Sequence, residues 1–549
     1  MDYWKSEPEL LESLVASIPE IMNSQKDNGQ FGTEPWICHD QQVILALAAA
    51  WTLEESDFRQ NDQVLESIIR GGDALIEAAD ENGMWTFRKK DNSTWGQILM
   101  PWTYSRWIRA YALTRDAFTD EARERWDEAL QLGFDGISKT CLERIHNIPT
   151  HHAMGLYCAG VVFERGEWLE QASSFMPRVI EQQSKDGYWS EHYGPVVAYS
   201  FVYSEALGIY YSLSGDGRVL DSLGRTAAFH ANYTYPDGSA VETVDERNGY
   251  QSGVQFGNPG FCFSEAGRGY LARQHGLFLE TNERFDSDYA ANLLLYGAEG
   301  EAEETAAGQN SFTHTLGDKA LIKRSGLWFI SISGFVCDQP QHRWLQDRQN
   351  FLSVFHDQTG LIIGGGNTKM QPLWSTFTAG DILELKHTPG DESPDFKPQG
   401  NLIHIPDQSS LLRNGEAVGL SLRYGETNCR FTVHAKSDTK MKLVYEVDEG
   451  SDERLEAHVT FLPLLDQPLK LSTGETIDLE KDECDCECAG FDHGGWRVSL
   501  PVGSRLVWAA LPHNPYRKGG EAEIGEGLIV AALTFDDGES RKEIQLEVL

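Results

Sequence analysis

Two hydrophobic rhythms divide the chain. Over residues 1–298 apolar positions recur every third or fourth residue, the spacing of a helix with one buried face. "DQQVILALAAAWTLEES" (40–56), "QVLESIIRGGDALIEAAD" (63–80), "SRWIRAYALTRDAF" (105–118) and "TDEARERWDEALQLGFDGI" (119–137) all carry it. It predicts further helices over 149–165, 166–184, 195–215 and 216–234, and near 263–276 and 285–297. From residue 311 the period falls to two and β-branched residues dominate, as in "KALIKRSGLWFISISGF", "CRFTVHAKS" and "LEAHVTFLPLL". Many short alternating runs bounded by turn residues predict an antiparallel β-sandwich.

A weak repeat punctuates the helical half. "QKDNGQFGTE" (25–34), "ADENGMWTFR" (79–88), "QSKDGYWSEH" (183–192) and "YPDGSAVETV" (235–244) each place Asn-Gly or Asp-Gly before an aromatic or small residue. Such dipeptides suit turns with a left-handed residue. Helix pairs joined by Gly turns point to helical hairpins arranged in a ring, an α/α toroid, complete or incomplete. The expected organisation is multidomain α+β. An α/α toroid spans 1–298, an acidic linker of small residues 299–310, and the sandwich 311–549.

Composition narrows the partners. Asp and Glu number 84 against 46 Lys and Arg, a formal charge of −38. That field repels nucleic acid and anionic membrane surfaces, so neither is an expected partner. An anionic ligand would need a locally basic pocket. The start "MDYWKSEPELLESLVASIPE" lacks the basic-then-apolar order of a signal peptide, and no run is long and apolar enough to span a bilayer. The expectation is a soluble protein, cytoplasmic, or secreted or periplasmic if a leader has been removed. Nine Cys, mostly isolated in apolar surroundings, read as reduced thiols.

Five stretches could carry chemistry. In "HNIPTHHAM", Pro149 fits a first helical turn and Asn147 or Thr150 a cap. This would place Asn147, His151 and His152 at the helix mouth. In "KDGYWSEHYGPVVAYSFVYSEAL", Trp189, Glu191 and His192 precede a helix bearing Tyr199 and Tyr203, one turn apart on a shared face. The long Gly-rich segment 237–267 carries Glu242, Asp245, Glu246, Arg247 and Tyr250, and Arg247 could clamp a carboxylate. His342, Arg343, Trp344, Arg348 and His356 crowd one region of the β-half. Cys484, Cys486 and Cys488 alternate with acids, a poor match to zinc spacing. No phosphate-cradle, nucleophile-elbow or zinc-protease motif occurs, so neither cofactor nor metal is expected.

The stretch "THHAMGLYCAGVVFERGEWLEQASSFMPRVIEQQSKDGYWSEHYGPVVAYSFVYSEAL" (150–207) resembles the polysaccharide lyases built from a toroid and a sandwich. The nearest likeness is to the heparinase II/III-like, alginate and chondroitin lyase group. The resemblance implies metal-independent β-elimination on a uronic-acid-containing polysaccharide. It implies that Asn147 or one of the His pair offsets the uronate charge. His151, His152 and His192 are then base candidates, and Tyr199 and Tyr203 acid candidates. Trp95, Trp189, Glu191, Arg247, Tyr250, His342 and Arg343 would contact the anionic sugar chain. Two other readings stay open. A toroid glycoside hydrolase would need two carboxylates, such as Glu191 and Glu242. A non-catalytic glycan-binding protein would keep the Trp residues without the His/Tyr set.

Overall fold

The structure, a computed structural model, describes residues 2–5, 8–305, 308–338, 343–369, 371–381, 400–448, 453–536 and 538–549. The chain forms two compact units. The first comprises 1–189, 198–231 and 256–305, and the second 190–197, 232–255 and 306–549.

The first unit is an α/α toroid of two helical layers. Ile44–Thr52, Pro101–Thr114 and Asn147–Val162 are buried on nearly every side. Each packs on the next, and Ile44–Thr52 also meets Ser287–Tyr296, which packs on Pro8–Ser24. The first and last helices of the unit are thereby brought together. Asp62–Ala78, Asp120–Thr140 and Gly166–Glu181 bury a single face and form an outer layer. Helix starts follow local chemistry. Asn61 Oδ1 accepts from Gln63 and Val64 N–H, Thr119 Oγ1 from Ala122 N–H, and Ser264 Oγ from Gly267 N–H.

The repeated turns share one geometry. Gly29, Gly83, Gly187 and Gly238 all have positive φ. Each Gly N–H donates to the carbonyl three residues back, and that earlier residue's N–H donates to the carbonyl after the turn. The pairs are Lys26–Gln30, Asp80–Met84, Ser184–Tyr188 and Tyr235–Ser239. A side chain at Gly29 or Gly187 would fall 2.2 or 2.1 Å from the Arg70 or Arg225 carbonyl oxygen. Gln25 Nε2 donates to the Gly29 and Ser67 carbonyls, and Gln183 Nε2 to those of Gly187 and Ser222. Two residues past the glycine, Phe31, Trp85 and Trp189 are all buried. Trp85 and Trp189 Nε1 each donate to the carbonyl ten residues earlier, Leu75 and Val179.

Among the described residues, the second unit is a sandwich of a ten-stranded and a nine-stranded antiparallel sheet. Alternate residues of both sheets, among them Trp328, Val459, Phe431 and Ile544, meet in one apolar core. Segments 190–197 and 232–255 cluster with this unit. Three buried carboxylates hold them. Glu246 accepts from the N–H groups of His192, Tyr193 and Gly194. Asp245 accepts from those of Val197, Arg247 and Asn248. Glu242 accepts from Tyr235 Oη, Ser353 Oγ and Gly365 N–H.

Three features differ from the sequence reading. Pro8–Ser24 is helical despite Pro19 in its interior. Trp85–Arg88 and Thr94–Ile98 form a hairpin inside the helical half. Residues 300–302, read as linker, pair as a strand with 2–4. A three-residue strand leaves too short an alternation to be seen in sequence.

Helix packing gives a sharp test. A Cβ at Gly72 would lie 2.0 Å from the buried Trp126 ring, whose Nε1 is pinned by Asp73. Gly72→Ala should lower stability by about 1–3 kcal/mol through overpacking. Gly276→Ala, on an exposed helical position with nothing within 4 Å, should instead stabilise slightly. Urea unfolding midpoints of the two variants check this pair.

Candidate functional site

The polar chemistry of the toroid converges on its inner helices. Helix Pro101–Thr114 carries Arg106 and Arg109 among apolar neighbours. Arg106 donates from Nε and Nη2 to the two oxygens of Asp288, at 2.8 and 2.6 Å. Its Nη2 also reaches Glu205 Oε1 at 3.3 Å. Arg109 Nη1 donates to Asn292 Oδ1 at 2.6 Å, and Asn292 Nδ2 returns to Asp288 Oδ2 at 3.2 Å. His151 Nε2 stands 3.8 Å from Glu205 Oε2, and the Trp102 ring lies 6.0 Å from the imidazole. His39 continues this aromatic line, 6.1 Å from Trp102.

The set grades from buried to wet. The His151 side chain is 0% exposed, Arg106 7%, Glu205 18% and Asp288 25%. Arg106 Nη1 makes no hydrogen bond among the described residues. Burial, then the positive fields of Arg106 and Arg109, pushes His151 down to about 3. The imidazole is therefore neutral at neutral pH and suited to donating an N–H rather than to holding a proton. Burial raises the Glu205 carboxyl against the opposing pull of Arg106.

The sequence-predicted residues fall into distinct settings. Asn147 is the first residue of its helix, with Oδ1 accepting from Ile148 N–H at 2.8 Å. The residue before the helix is His146, and neither Asn147 nor Thr150 caps it. Thr150 Oγ1 donates back to the His146 carbonyl instead. Because the helix starts at Asn147, His151 and His152 lie in its second turn and are buried, not at an open mouth. Burial, with His151 and His146 nearby, takes His152 down to about 3 as well. Tyr203 is buried and stacked on Trp189 at 4.7 Å. Trp189 is thus a core residue of the repeat rather than a sugar platform. Tyr199 is half-buried on helix Val197–Ser214. Trp95 is 43% exposed on its hairpin, with Lys89 Nζ 4.4 Å from the ring centre.

In the second unit, Arg247 Nη1 donates to Glu191 Oε2 at 2.7 Å and Nε to Tyr516 Oη at 2.9 Å. Trp344 lies 5.3 Å from the Tyr516 ring, and Arg343 sits 4.3 Å over Trp344. His192 is exposed and Tyr250 half-buried. Arg348 is buried, 3.8 Å from Glu246 Oε2, and faces no solvent. His356 is buried with Nε2 2.8 Å from the Asp438 carbonyl, a structural contact. His342 lies outside the described residues. The nine cysteines are free thiols, and no group of three His, Cys, Asp or Glu among the described residues could hold a metal. No helix among the described residues is long and apolar enough to cross a membrane.

Arg106, Glu205, Asp288 and Asn292 escaped the sequence reading. Their signal was polar and charged residues inside otherwise apolar helices: Arg106 and Arg109 at i and i+3, and Asp288 and Asn292 at i and i+4.

No protein-family model matches the chain, and no curated protein matches it. Solved structures do. Heparinase III matches with a TM-score of 0.56 at 11% identity, covering 99% of this chain and 85% of that one. The chondroitin AC lyase of Streptomyces coelicolor A3, solved with chondroitin sulphate, matches at 0.55 and 13%, covering 98% and 79%. The xanthan lyase of Paenibacillus matches at 0.58 and 11%, covering 99% of this chain and 57% of that one. The chain has the fold of these proteins along its whole length.

Two outcomes test the electrostatics. Arg106→Met should cost about 3–5 kcal/mol, because it leaves two largely buried carboxylates without their cation. Arg218→Met, which breaks an exposed pair with Asp216, should cost less than about 1 kcal/mol. Urea unfolding compares them. The second outcome concerns pH. Burial takes His151, His152 and His230 from 6.5 to about 3 and His275 to about 4. The unfolded chain therefore binds protons first, so their contribution is full above pH 6.5 and is lost as pH falls towards 3–4. Each imidazole adds a slope of up to about 1.4 kcal/mol per pH unit. Unfolding midpoints should fall between pH 7 and 5.5; a flat profile would contradict the buried neutral state.

Proposed function

We propose that the protein is a polysaccharide lyase that cleaves a uronic-acid-containing polysaccharide by metal-independent β-elimination. The observation that carries the reading is the whole-chain likeness to heparinase III, chondroitin AC lyase and xanthan lyase. The substrate class follows from the same proteins: an anionic glycan of the glycosaminoglycan or xanthan kind.

The chemistry sets the residue requirements. C5–H of a uronate is a very weak acid while the carboxylate is charged. The enzyme must stabilise the enolate-like transition state with preorganised donors, take the C5 proton and return one to the leaving oxygen. In the toroid, the Asn147 amide is the donor candidate, because the His151 side chain is fully enclosed. A buried imidazole lowered to about 3 is a poor base at neutral pH, so proton transfer is assigned to other groups. Tyr199, half-buried, is preferred to Tyr203, whose ring is committed to Trp189. His192, which is exposed, stays the base candidate that the family resemblance implies. Arg343 and Trp95 are candidates for contact with the anionic sugar, whereas Arg247 is already paired with Glu191.

The hydrolase reading has less support. Glu242 is buried and held by Tyr235, Ser353 and Gly365, while Glu191 is paired with Arg247. Neither carboxylate has the freedom that an acid–base pair needs.

The test is a screen of heparan sulfate, chondroitin sulfate, hyaluronan, alginate and xanthan, read by the ultraviolet absorbance of the unsaturated uronate product. Absorbance should rise with at least one of them. New reducing ends without it would indicate a hydrolase. On the active substrate, Tyr199→Phe and His192→Ala should each lower kcat by about 10²–10⁴-fold. Asn147→Ala should lower kcat/KM, and Tyr203→Phe should change turnover little. Equal activity in all four variants would remove these assignments.

A further inference from the structure

The second unit contains a half-open cleft of about 620 Å³, formed entirely from its own segments. That lies within the roughly 300–1,000 Å³ of small-molecule sites and leaves room for more than one pyranose ring. Trp374 lies in its wall, buried and fixed by donation from Nε1 to the Ala510 carbonyl at 3.1 Å. Tyr516 and Leu464 are 39% and 38% exposed, and Tyr250 adds a half-buried ring.

Two features define what such a cleft would take. The first is charge. Its cation, Arg247, is compensated by Glu191 at 2.7 Å, and Glu526 is engaged by Asn514 Nδ2 at 2.5 Å. Among the described residues, the wall therefore offers rings and hydrogen-bonding groups without a spare Lys or Arg for a uronate. The second is Gln346. Its side chain is 4% exposed and lines the cleft, and its Oε1 accepts no hydrogen bond among the described residues. An unmet buried acceptor is costly, and a ligand O–H or amide N–H would satisfy it.

We propose that this cleft is a glycan-binding site for uncharged sugar units, a neutral hexose or N-acetylhexosamine pair. The proposal rests on the reading of the protein as glycan-active and adds the sugar class that the sandwich unit recognises. Aromatic faces cover the apolar side of the ring, and Gln346 Oε1 accepts from a hydroxyl or acetamido N–H.

Isothermal titration of the full-length protein with N,N′-diacetylchitobiose, cellobiose and digalacturonate tests it. At least one neutral disaccharide should bind, with an affinity that hardly changes between low and high NaCl. Gln346→Leu should weaken binding about tenfold by removing the acceptor. Leu464→Arg, at an exposed rim position, should weaken it too and covers the case in which the Gln346 variant does not fold. Absence of binding by both neutral sugars overturns the proposal. So does preferred, salt-sensitive binding of digalacturonate, or binding unchanged in both folded variants. Elimination is read separately by absorbance. Binding without product absorbance would sink the lyase reading alone, and elimination without neutral-sugar binding would sink the cleft alone.

Discussion

The toroid depends on one guanidinium. Arg106 projects from helix Pro101–Thr114 and binds Asp288 on Ser287–Tyr296 and Glu205 on Val197–Ser214. Three inner helices distant in sequence are thus tied at one point, with Arg109 and Asn292 adding a second tie. Apolar packing alone specifies that inner helices touch, without fixing their axial register. A bidentate guanidinium–carboxylate pair does fix it, because both hydrogen bonds fail if either helix slides. Burial first, and then the positive fields of Arg106 and Arg109, keep the neighbouring His151 neutral.

This explains which parts of the fold were legible. Helical spacing and Gly turns are local signals, and the structure repeats them as four turns with matching hydrogen bonds. The repeat also carried information that was misread. Trp189 stands two residues past Gly187, as Trp85 does past Gly83, and both indoles donate to a carbonyl ten residues earlier. A repeat position is a packing position, so the sugar-platform expectation for Trp189 gave way to a core role. Arg106, Glu205 and Asp288 were not legible because their partnership spans up to 182 residues. Only a charge inside an apolar helix hinted at it, and a single charge does not name its partner.

The acids of segment 237–267 show a similar shift from chemistry to support. Glu242, Asp245, Arg247 and Glu246 together looked like site residues in sequence. In the structure the three carboxylates spend their lone pairs on backbone N–H groups and neighbouring hydroxyls. An irregular loop must satisfy its backbone donors, and a carboxylate accepting several of them holds it in one conformation. Arg247 alone of this group reaches outward, to Glu191 and Tyr516. These hydrogen bonds fix the backbone on which Arg247 stands.

Burial then separates scaffold from chemistry more firmly than residue type does. His151, His152, Tyr203 and Trp189 belong to the residue types of a lyase site, yet each is enclosed, and two of them are lowered to about 3. A group that must exchange a proton with a substrate needs access and a pKa near the working pH. Tyr199 and His192 meet the first condition, and Trp95 meets it for binding. The enclosed histidines instead serve by staying neutral. A charged imidazole beside Arg106 would repel it and loosen the tie between the inner helices, so the scaffold requires the neutral state that burial already favours.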